Sequence, residues 1–147
     1  MKITKLSQDQ IKEIAEELDM GMACFWNRET NELVFFPDTV QFYELDIEEA
    51  FADEVAKVEN NRDKFVQIEK YSSNYGFEIM AEFAESLNDR NQLKTMIINA
   101  LNRSKPFRNF KHIIETSNLR EDWFAFKHQK LMVWVKSHIQ QIENLEG

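Results

Sequence analysis

Three glycines and two prolines in 147 residues leave this chain few places to turn. A β-sandwich needs turn signals roughly every 8–12 residues, and the sequence does not supply them. Helices need punctuation only at their ends, so the scarcity points to a helix-rich fold. From Ser73 onward the pattern is helical throughout. Phe77, Met80, Phe83, Ala84 and Leu87 share one face, and Leu93, Met96, Ile97, Ala100 and Leu101 share the next, with Asp89 and Gln92 as its capping pair. Ser104 and Pro106 open a short helix, and Asn118 with Glu121 opens the last and longest one.

The first seventy residues read differently. Ser7 and Gln10 form a capping box, Leu6 and Ile11 a hydrophobic staple, and Ile11, Ile14, Ala15 and Leu18 an apolar stripe that Gly21 can stop. Met22 to Trp26 and Glu32 to Phe36 read as two strands around the turn-prone NRETN, with Pro37 ending the second. Asp46 to Val58 reads as a helix with an acidic outer face, capped by Asp46 and Glu49 and broken at Asn60 to Asp63. Lys64 to Glu69 supplies a third strand. The expected fold is therefore α+β: a small antiparallel sheet of about three strands (hairpin 22–36 plus 64–69) packed with a helix-rich C-terminal half, in a single domain over 1–147. With 43% hydrophobic residues and twelve Phe, the chain is too apolar for a disordered one. A chain of this length buries roughly 70% of its unfolded surface.

Charge divides sharply along the chain. Up to Arg103 there are 11 basic against 21 acidic residues, a net −10; beyond it there are 7 against 5, a net +2. The overall −8 disfavours general attraction to nucleic acid or anionic lipid, yet permits a local basic surface. Cys24 stands alone, so neither an intrachain disulfide nor a cysteine zinc site can form, and it reads as a small buried hydrophobe. The opening MKITKLSQDQIKEIAEE lacks the apolar run of a signal peptide, and no segment reaches the ~20 apolar residues of a membrane span. A cytoplasmic location, without membrane contact, is the expectation.

The stretches LDMGMACFWNRETNELVFFPD, YGFEIMAEFAESLND and SKPFRNFKHIIETSNLREDWFAFKHQKLMVWV together resemble the bacterial group catalogued as Uncharacterised Protein Family 0158. Its pattern is a leucine-aspartate-methionine opening, a hairpin around a threonine-glycine-glutamate turn, then a lysine-proline-phenylalanine helix and an arginine-tryptophan-phenylalanine helix. Here the turn reads Thr30-Asn31-Glu32, and Asn tolerates the left-handed conformation that Gly would take. The resemblance implies a compact α+β unit. It brings no activity, substrate, cofactor or functional residue.

The net-basic segment from Ser104 to Lys130 interleaves rings with cations. On the helix from Pro106 to Glu115, Phe107, Phe110, Ile113 and Ile114 make an inward face, while Arg108, Lys111 and His112 share another. Base stacking needs rings exposed beside cations, so this separation argues against a nucleic-acid reader. On the last helix, Phe124, Leu131, Trp134, Val135 and Ile142 define the apolar stripe, and Arg120, Lys127 and His138 fall within it. Such cations snorkel to water, pair with carboxylates such as Glu78, Glu82, Glu85 or the 46–54 helix, or form a site for a ligand that supplies its own carboxylate or phosphate. Trp26 and Trp134 read as core. Trp123, near a helix start, reads as the ring placed at a rim, where it could anchor a partner.

No catalytic or cofactor motif is present. The sequence has no GxSxG, P-loop or GxGxxG, and His112, His128 and His138 lack metal-ligand spacing. The expected function is a non-catalytic binding or adaptor module without cofactor or metal. Arg108, Lys111, Arg120, Trp123, Lys127 and Lys130 are its binding residues, with Lys105 on the same basic surface. The expected partner is an acidic protein, or a second copy of the chain. Two alternatives stand beside it: a nucleic-acid-associated protein using the same patch, and a small enzyme with a site between the helical half and the sheet.

Overall fold

Asn31 shows how closely the turn chemistry is met. Its backbone is left-handed, with φ of 63°, and its side-chain oxygen accepts a hydrogen bond from Trp26 Nε1 at 3.2 Å. Asn thus fills a position that glycine could fill, and it also gives the buried indole a partner. The computed structural model describes residues 6–38 and 50–146.

Around that turn, β1 (Met22–Asn27) pairs antiparallel with β2 (Leu33–Pro37), Met22 facing Pro37 and Trp26 facing Leu33. β3 (Phe65–Ile68) pairs antiparallel with the other side of β1, giving the order β2-β1-β3. The remaining described elements are helices: α1 (Gln8–Asp19), α2 (Ala52–Glu59), α3 (Ser73–Ser86), α4 (Gln92–Leu101), α5 (Pro106–Glu115) and α6 (Arg120–Glu146). The fold is α+β, with the helices mostly in the C-terminal half. The chain forms two compact units. One holds α1, the sheet, α2 and α6 from Leu131; the other is Tyr71–Lys130.

In the first unit the sheet is covered on both faces. Ala23, Val34, Phe36, Val58 and Phe65 form one buried cluster, so α2 lies on that side. Cys24, Trp26 and Ile68, each at most 1% exposed, point the other way, and α1 packs on β1. The capping box is formed: Ser7 Oγ accepts from Gln10 N, and Gln10 Oε1 accepts from Ser7 N. Leu6 and Ile11 are buried beside it. Gly21 ends the helix at φ 92°, as a left-handed stop requires. Burial, reinforced by Glu13 and Glu17, pushes the Cys24 thiol well above its ordinary range. Of the expected helix over 46–58, the described residues include Ala52–Glu59; residues 46–49, with the capping pair Asp46 and Glu49, lie outside the described residues.

The second unit is built around Phe83, 2% exposed. Its ring lies 5.3 Å from Trp123, 5.4 Å from Phe126 and 6.4 Å from Phe110, and Phe110 meets Trp123 at 4.6 Å. Several sequence expectations are corrected here. Asn91, not Asp89, caps α4, because its side chain reaches Leu93 N while Asp89 pairs with Lys94 at 2.6 Å. Pro106 does open α5, but the cap residue is Lys105, in a left-handed conformation with no side-chain cap bond, rather than Ser104. α6 begins at Arg120, two residues beyond Asn118. Met96, expected inside, is 52% exposed.

Candidate functional site

The rings of the net-basic segment are sorted differently from the sequence expectation. Phe107 and Phe124, assigned to the core by period, are 46% and 51% exposed. Trp123, assigned to a rim, is 8% exposed within the Phe83 cluster. Adjacent helical positions differ by about 100° in direction, so exchanging Trp123 for Phe124 turns the expected stripe at the start of α6, while Leu131 and Val135 stay buried as expected. The buried line on α6 runs through Trp123, Leu131, Val135 and Ile139, and Leu119 just before it is buried too. Arg120 therefore leaves the apolar face and is exposed, its guanidinium 5.3 Å from the Phe124 ring centre. Lys127 is half-buried, its ammonium 5.9 Å from the Trp123 ring, as snorkelling predicts. His138 stacks on Trp134 at 5.0 Å, both half-buried.

This arrangement opens a cleft of about 360 Å³ between α5 and the first turns of α6. Phe107, Phe110, Ile114, Trp123 and Phe124 supply its apolar lining; Lys111, Arg120 and Lys127 supply its charge. One carboxylate, Glu115, joins them and lies 3.9 Å from the Lys111 ammonium. Gly76 lies under Phe107. A Cβ there would stand 3.5 Å from the Phe107 ring and 3.3 Å from Tyr71, so the absent side chain lets the ring settle on α3.

Four of the six sequence-chosen residues meet in this cleft: Lys111, Arg120, Trp123 and Lys127. The other two do not. Arg108 lines a separate hollow of about 570 Å³ with Arg103 and His112. Lys130 is bound to Glu82 at 2.8 Å and lies 5.5 Å from the Phe126 ring. The Glu82 hydrogen bond holds the Lys130 ammonium above the usual lysine range. This unit thus holds a cation–carboxylate pair between α3 and α6, made by Glu82 and Lys130. Its backbone is engaged as well: the Lys130 carbonyl accepts from the Tyr75 hydroxyl at 3.2 Å, and burial pushes that phenol upward.

Phe107, Phe124 and Gly76 were missed as part of this surface. The available signal for the first two was their flanking by cations at helical spacing: Arg108 and Lys111 at i+1 and i+4 from Phe107, and Arg120 and Lys127 at i−4 and i+3 from Phe124. Nothing in the sequence marks Gly76 as the seat of a ring from another helix. No described helix is long and apolar enough to cross a membrane.

The sequence pattern that defines the Uncharacterised protein family (UPF0158) matches residues 27–144. A Pseudomonas aeruginosa protein named for the same family is 29% identical over 80 residues, which make up 54% of this chain and 52% of that protein. The match thus spans about half the length of that relative. No solved structure matches the chain.

Proposed function

The chain belongs to the Uncharacterised protein family (UPF0158), a membership that carries no activity with it, and from that premise we propose that it is a non-catalytic binding module whose α5–α6 cleft takes an acidic segment of another protein. The observation that carries this reading is the conjunction of two half-exposed rings, Phe107 and Phe124, with Lys111, Arg120 and Lys127 around one cleft. Exposed rings in a pocket give anchoring area, and surrounding cations select an acidic ligand and raise its rate of encounter. A cleft of about 360 Å³ admits one or two side chains of a segment.

A second reading shares that observation. Phe107 and Phe124 stand beside cations, as stacking on a single-stranded nucleic acid requires, so the sequence argument against such a reader loses its ground. One feature favours the acidic protein: the chain's −8 repels an extended polyanion more than a short acidic segment.

Selection from a displayed random-peptide library on the purified protein, with counter-selection on Arg120→Glu/Lys127→Glu, tests the reading. We expect an enriched motif of Asp or Glu around one aromatic or large aliphatic residue. Enrichment of basic peptides, or equal binding to the variant, would contradict it. A gel shift with single-stranded oligonucleotides that weakens with log[salt] at a slope of about −2, as three phosphate contacts dictate, would favour the second reading.

A further inference from the structure

We propose a second, independent ligand site: the hollow between α4 and α5 binds a small phosphate-bearing molecule that carries an apolar group. Its lining includes Arg103, Arg108 and His112, together with the exposed Met96, half-buried Ile113 and the Asn99 side chain. No carboxylate is among the lining residues. In a chain where acidic residues outnumber basic ones by eight, a hollow lined by two guanidiniums and an imidazole and by no carboxylate is a local reversal of sign.

The chemistry of the two arginines narrows the ligand. A guanidinium presents a planar fork of donors that matches phosphate oxygens, stays charged at all working pH, and is weakly hydrated. Two of them around one hollow suit a group with several oxygens and more than one negative charge. His112 adds a ring N–H donor. At about 570 Å³ the hollow lies within the usual range for small-molecule sites, and it exceeds what a phosphate alone fills. The remaining wall is Met96 and Ile113. A methionine that is 52% exposed on an otherwise amphipathic helix forfeits burial, and its flexible thioether is suited to cover a ring or alkyl group. Arg108, grouped with Lys111 by helical spacing, is thereby assigned a different ligand from the residues of the α5–α6 cleft.

The test is a titration of the 15N-labelled protein, its methionine methyls labelled with 13C, first with inorganic pyrophosphate and then with ADP. Both probes are expected to shift the amide signals of Arg103, Arg108 and His112, and ADP also the Met96 methyl, with ADP binding more tightly. Arg103→Ala and Arg108→Ala, both at exposed positions, are each expected to weaken ADP binding by at least about tenfold, with the rest of the spectrum unchanged. Met96→Ala should reduce the advantage of ADP over pyrophosphate. Lys127→Glu, in the other cleft, should leave both probes unaffected, so this site and the acidic-segment site can fail separately. No shifts with either probe, equal shifts with sulfate, or binding indifferent to both arginine substitutions would overturn the proposal. So would binding of an oligonucleotide where ADP and pyrophosphate do not bind.

Discussion

Trp123 and Phe124 are adjacent, aromatic and equally plausible as core, and replacing each by Ala separates them. Trp123 is 8% exposed, with Phe83 at 5.3 Å and Phe110 at 4.6 Å. Its truncation removes a buried ring from a close-packed cluster and leaves a cavity, at a cost of about 3–5 kcal/mol. Phe124 is 51% exposed. Full burial of a Phe is worth about 1.5–3 kcal/mol, so half of it comes to about 1 kcal/mol. The Arg120 contact at 5.3 Å adds about 0.5 kcal/mol at an exposed site. At roughly 2–4 °C per kcal/mol for a chain of this size, Trp123→Ala should lower Tm by roughly 6–20 °C and Phe124→Ala by roughly 2–6 °C. Far-UV circular dichroism is the suitable assay, since it does not depend on the indole that one variant lacks. A Phe124→Ala loss equal to or larger than that of Trp123→Ala would refute the assigned face of α6, and with it the cleft.

Three further perturbations probe other contacts. Lys130, its folded pKa raised by Glu82, contributes stability that is fully present below the unfolded lysine value and lost as pH rises through the folded one. The advantage of wild type over Glu82→Gln in urea midpoint, about 0–1 kcal/mol for so exposed a pair, should therefore persist from neutral pH to the ordinary lysine range and vanish above it; an advantage that grows there would contradict the pairing. Asn31→Ala should cost about 2–4 kcal/mol, combining left-handed strain with an unmet Trp26 N–H, whereas Asn31→Gly should cost about 1–3 because only the hydrogen bond is lost; equal losses in chemical denaturation would show that the backbone at φ 63° is unstrained. Cys24, buried and with its thiol pushed upward, should resist iodoacetamide in native protein at pH 8 and react promptly in urea; rapid native labelling would contradict its place beneath α1.

The sheet was readable because each of its instructions is local. Turn residues, alternation and the Pro37 stop all act within a few positions, and Ser7 with Gln10 closes its capping box through groups three residues apart. The last helix was harder. Rings, cations and amides alternate along α6 so that more than one face carries apolar residues, and neighbours from other helices choose between them. Phe83 and Phe110 choose Trp123, which exposes Phe124 and brings Arg120 to the surface. Competing caps were equally undecidable by pattern: Asp89 and Asn91 both suit the start of α4, and Lys94 decides by taking the Asp89 carboxylate. Helical spacing grouped Arg108 with Lys111, yet each side of α5 forms its own hollow with a different helix, and the two cations part company.

The central reading is that the α5–α6 cleft holds an aromatic or aliphatic anchor from an acidic segment. Its most direct test is fluorescence anisotropy of a labelled peptide with one Phe flanked by Asp and Glu, titrated with wild type, Phe107→Ala/Phe124→Ala and Lys111→Glu/Lys127→Glu. The account predicts saturable binding to wild type that weakens with salt, is lost in both double variants, and is absent for a peptide whose Phe is replaced by Gly. Equal affinity for all three proteins, or for the peptide without its ring, would contradict it.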